Sequence, residues 1–107
     1  MKQTFALLLL VPTLLFSQGR KADSLKNTLR TIKPDTNKIN TLNELGWELV
    51  FSNPDTGVVL GKQAVALAKK LKWDFGAAAN YNLIGTAYAV KANYQQALSF
   101  FFKCLAI

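Results

Sequence analysis

The chain has 107 residues, half of them apolar, which is enough for one folded domain and too apolar for a disordered tail. It carries no His, one Cys and six carboxylates against thirteen Lys and Arg, for a formal net charge of +7. These counts exclude zinc sites of the Cys/His kind, a phospho-accepting His and a disulfide framework, and they remove most nucleophile–base pairs.

The N-terminus reads as a targeting segment. Lys2 precedes the apolar run FALLLLVPTLLF (Phe5 to Phe16), and the polar stretch SQGRKADS follows at once. A membrane-spanning helix needs about 20 apolar residues, so this shorter run fits a secretory signal peptide over residues 1–18. Ser17 suits the position before the cut and Gln18 is an alternative, although Leu15 is larger than a cleavage site prefers. The other reading is an uncleaved anchor. No Cys lies near the run, which argues against a lipoprotein. The expectation is an exported chain, periplasmic or secreted.

Residues 19–33 predict a short amphipathic helix with Leu25, Leu29 and Ile32 on one face. A first longer helix begins at Pro34-Asp35-Thr36 and gathers Ile39, Leu42, Leu45, Gly46 and Leu49 at three- and four-residue steps. Asn53-Pro54-Asp55 starts the next. The Asn caps, the Pro gives up no needed donor in the first turn, and the Asp meets the positive end of the dipole. Its apolar face is Val58, Leu60, Ala64, Val65, Leu67, Ala68 and Leu71, and Lys69, Lys70 and Lys72 suit its negative end. Asp74 is the expected cap of a third helix bearing Ala77, Tyr81, Ile84, Gly85 and Tyr88. Asn93 is the expected cap of a fourth bearing Ala97, Leu98, Phe101, Cys104 and Leu105.

These four helices are two copies of one unit, residues 35–72 and 74–107. Asn43, Leu45, Gly46 and Leu49 recur 39 residues later as Asn82, Ile84, Gly85 and Tyr88. Asn53, Gly57, Val58, Ala64 and Val65 recur 40 residues later as Asn93, Ala97, Leu98, Cys104 and Leu105. A mid-helix Gly costs about 1 kcal/mol relative to Ala, and close approach of two helices offsets it. Gly46 and Gly85 would face Gly57 and Ala97 at the crossings.

The second copy, with Gly85, Tyr88, Ala97, Phe101 and Cys104 at these spacings, resembles the tetratricopeptide repeat; Cys104 stands where that family usually has Ala. In the first copy Leu49 replaces the usual Tyr, Gly57 the usual Ala and Gly61 the usual aromatic, and the period exceeds the standard of about 34 residues. The resemblance covers about 70 of the 107 residues. It implies an all-α fold: an α-solenoid of antiparallel helix hairpins, about two repeats after a short helix. It implies a non-catalytic scaffold that binds a peptide or protein on its concave face. The signal peptide, short helix and Asp35-Thr36-x-Lys38 start are also similar to the N-terminal periplasmic region of bacterial sensor proteins, whose output is a histidine kinase or a helix-turn-helix domain. That resemblance implies the alternative of a signal-input module.

In such scaffolds the first helix of each hairpin lines the concave face, which assigns Asn40, Asn43, Trp47 and Val50 from one copy and Ala79, Asn82, Thr86 and Ala89 from the other. Asn43 and Asn82 can hold a peptide backbone or bridge neighbouring helices. Trp47 can anchor a ligand or fill the hole left by Gly61, and Trp73 packs at the repeat junction. Phe100 and Phe102 flank Phe101 and point about 100° away on either side of it. With no polar capping helix after them, they mark a next-repeat or self-association surface, as expected of a truncated product, a fragment or an obligate oligomer. The alternative is one large face left exposed, with the short helix folded back. The six carboxylates are scattered, Glu44 and Glu48 reading as a solvated pair, so no catalytic cluster, metal site or cofactor is expected. The cations form small dispersed groups without an Arg-rich helix or interleaved aromatics, which disfavours nucleic acid as a partner.

Overall fold

The computed structural model describes residues 19–107; the apolar run and its cleavage site lie outside the described residues. Every regular element among the described residues is a helix: α1 (19–31), α2 (Thr36–Leu49), α3 (Pro54–Lys70), α4 (Asp74–Val90) and α5 (Tyr94–Leu105). None of them is long and apolar enough to cross a membrane.

Local chemistry sets the helix boundaries. The Asp35 carboxylate accepts from the Asn37 N–H at 2.9 Å, and Asn53 and Asn93 accept from Thr56 and Gln96 N–H groups in the same manner. The start of α4 departs from the expectation. Trp73 is its cap residue and gives no side-chain bond, and Asp74 sits inside the first turn, where its charge meets the dipole. Both α3 and α4 end in the same reversal. Trp73 N–H donates to the Ala68 carbonyl and Asn93 N–H to the Tyr88 carbonyl, each closing a turn whose penultimate residue is left-handed: Lys72 at φ 56° and Ala92 at φ 61°.

From α3 onward each helix packs on its predecessor, and α4 also reaches back to α2. The reason lies in the glycines. A Cβ on Gly46 would collide with the Leu83 side chain, and one on Gly61 would lie 2.5 Å from Ile84 Cγ1. Two adjacent residues of α4 therefore enter two gaps, one in α2 and one in α3. Leu83 and Ile84 are fully buried there with Ile39 and Val50. Burial of side chains this size contributes about 1.5–3 kcal/mol each. In the second hairpin the gap over Gly85 is filled from within, by the Phe101 ring 2.6 Å from a would-be Cβ.

This corrects three expectations. Ile84, not Trp47, fills the space over Gly61. Gly46 does lie near Gly57, whose Cβ would come 3.7 Å from the Gly46 carbonyl, but its side-chain space belongs to Leu83 of the following helix. Leu71, Leu98 and Leu105, read as core-facing, are exposed, Leu71 at the C-terminal end of α3 and the other two on α5. At the other end Ala22 is buried, Leu29 packs on the core and Lys21 pairs with Glu48 at 3.0 Å. Glu48 is thus tied to α1, a pair worth at most about 1 kcal/mol at this exposure.

Candidate interaction surface

The first-helix positions divide into two groups. Asn40 and Asn82 are exposed, whereas Asn43, Trp47, Thr86, Ala79 and Ala89 are half-buried. Val50, assigned to the same face by the resemblance, is fully buried in the core. Trp47 packs against the core cluster with one part of its ring still open.

Asn43 is a bridging residue. Its Nδ2 donates to Asn80 Oδ1 at 3.1 Å, and Asn80 Nδ2 donates to the Gly76 carbonyl at 2.8 Å. Asn80 is 1% exposed, the one buried polar side chain among the described residues, so both of its bonds replace water. The sequence signal for Asn80 was its repeat position. Thr41, 39 residues earlier, makes the matching bond to the Asn37 carbonyl at 2.8 Å. Asn82, the repeat counterpart of Asn43, makes no side-chain hydrogen bond with a described residue. Its carbonyl accepts from the Thr86 hydroxyl at 2.9 Å. α2 and α4 are therefore stitched together by Asn43 and Asn80, and Asn40 and Asn82 remain exposed.

The phenylalanines of α5 separate as well. Phe100 is half-buried and stacks on Tyr88 with ring centroids 5.5 Å apart, so it belongs to its own hairpin. Phe102 is 65% exposed, on a side of α5 shared with Tyr94, Leu98 and Leu105. Steps of four, four and three residues hold these four side chains within a narrow arc of the helix. Cys104 is half-buried and unpaired.

Compared with known proteins, the chain matches no family model, no curated protein and no solved structure.

Among the described residues no three of His, Cys, Asp and Glu come close enough to hold a metal ion. The pKa of Lys91 is raised. Its hydrogen bond with the Asp55 carboxylate raises it above the ordinary lysine value, against a smaller desolvation effect.

Proposed function

We propose that the chain is a non-catalytic interaction module of tetratricopeptide-type hairpins, which holds a peptide or protein segment along α2 and α4. The observation that carries this reading is the Asn43–Asn80 bond. It joins the first helices of two successive hairpins side by side, so that they line one continuous surface, as in a repeat scaffold. Along that surface Asn40 and Asn82 expose amides that both give and take hydrogen bonds, suited to an extended backbone. The half-buried Trp47 offers an apolar contact between them. The signal-peptide pattern of residues 1–18 supports a site of action in the cell envelope or outside the cell.

The test is selection of peptides from a displayed library on the full chain, followed by rebinding to Asn40→Arg/Asn82→Arg. Both positions are exposed, so the variant keeps its fold and blocks only the surface. Selected peptides should lose binding to the variant. Peptides that bind both proteins equally would contradict the assignment of this face.

A further inference from the structure

The exposed cations of the two second helices are not dispersed in space as they are in sequence. Lys62 of α3 and Lys103 of α5 approach the same ring, Phe100, with Nζ 6.0 and 4.6 Å from its centroid. Phe100 lies 6.2 Å from Tyr81, and Lys69 of α3 sits 5.6 Å from the Tyr81 centroid. Tyr88, stacked on Phe100, carries Lys91 at 5.6 Å. Three rings thus floor a groove between α3 and α5, and four ammonium groups border it.

Only one of the four is neutralised. Lys91 pairs with Asp55, whereas Lys62, Lys69 and Lys103 make no salt bridge with any described residue. All six side-chain carboxylates of the chain lie within the described residues, so none remains elsewhere to pair with them. Like charges that converge on a low-dielectric floor repel one another and raise the local attraction for an anion. Ring faces hold the ammonium groups in position without cancelling their charge.

We propose that the α3–α5 groove binds an acidic, extended segment of a partner protein, whose carboxylates pair with Lys62, Lys69 and Lys103. The spacing suits such a segment. Lys62 and Lys69 are two helical turns apart, about 10.5 Å, and a segment extended in the polyproline II conformation brings every third side chain back to the same face after about 9.3 Å. Acidic side chains at every third residue therefore meet both. Nucleic acid fits less well, because base stacking needs a free ring face. Here Phe100 is stacked on Tyr88 and flanked by Lys103, and Tyr81 is buried. The groove takes its lysines from α3 and α5 and shares no residue with the α2–α4 face, so either assignment can fail alone.

The experiment is fluorescence anisotropy of the full chain with a labelled peptide carrying Glu at every third position and neutral residues between. Lys62→Gln/Lys69→Gln/Lys103→Gln should weaken binding about tenfold, the combined worth of three exposed ion pairs. The charge-matched control Lys26→Gln/Arg30→Gln/Lys33→Gln removes three exposed cations near α1 and should change it by less than about threefold. Equal loss in both variants would reduce the effect to net charge and overturn the proposal, as would failure of the peptide to bind. Tighter binding of duplex DNA or of anionic phospholipid vesicles, lost in the groove variant, would overturn it in favour of a phosphate polyanion.

Discussion

Gly57 and Gly61 lie one turn apart on α3, both buried, and replacement by Ala should move stability in opposite directions. Each substitution gains about 1 kcal/mol of helix propensity. At Gly57 the new methyl meets Ala87 Cβ and Val50 Cγ2 at 3.6 Å, ordinary contact distances, so the gain survives. At Gly61 it lands 2.5 Å from Ile84 Cγ1 and 3.4 Å from the Asn80 carbonyl. Ile84 has no exposed surface into which to retreat, and overpacking of this kind costs about 1–3 kcal/mol. Gly57→Ala should therefore stabilise by about 1 kcal/mol, and Gly61→Ala should destabilise by up to about 2 kcal/mol after the propensity gain is offset. In a domain of this size about 1 kcal/mol moves Tm by roughly 4–8 °C, well resolved by thermal and urea unfolding followed by circular dichroism. If both variants rise by the same amount, α4 does not enter the gap in α3 and the packing account is wrong.

Four further outcomes follow from individual contacts. Asn43→Ala removes the donor to a buried amide oxygen and should cost about 1–3 kcal/mol, whereas Asn82→Ala, its exposed repeat counterpart, should stay within about 0.5 kcal/mol in the same urea titration. Lys72→Gly and Ala92→Gly relieve left-handed strain of about 1–2 kcal/mol each. The greater freedom of an unfolded Gly takes back about 0.4–1 kcal/mol, so both variants should melt higher, and a fall in Tm would contradict the turn geometry. Because Asp55 raises Lys91, any stability from that pair is complete below the ordinary lysine pKa and is lost as pH climbs through the raised value; side-chain NMR titration of Asp55→Asn should show the Lys91 end point falling. Phe102→Glu/Leu105→Glu should leave Tm unchanged and reduce light scattering at high concentration, since both side chains face solvent; a large fall in Tm would mean that the stripe is covered.

The helices were legible in the sequence because their signals are local. Asp35, Asn53 and Asn93 each combine a capping oxygen with an apolar period that begins just after it; Asn53 and Asn93 cap as expected, and Asp35 caps the helix read to begin at Pro34-Asp35-Thr36. Asp74 misled because Trp73 and Asp74 compete for the same boundary, and the turn made by Lys72 fixed it one residue earlier. Periodicity also located most of the buried positions of α2 to α4. It missed Leu83, since which side chain enters a gap depends on how helices from different hairpins meet, and nothing local to α4 records the hole over Gly46. The candidate face was legible only in part. The resemblance grouped Asn40 and Asn82, which are exposed, with Val50, which the core takes, and with Asn43, which bonds to Asn80. The lysine–aromatic groove was not legible at all, because its members come from three helices and no short stretch contains them.

The central claim is that α2 and α4 form one binding face. It is tested most directly by a photo-crosslinking side chain at Asn40, at Asn82 and, as a control, at the exposed Asn27 of α1, in the cells that produce the chain. The account predicts that Asn40 and Asn82 form an adduct with the same protein and that Asn27 does not. Adducts at Asn27 alone, or equally at all three, would contradict it.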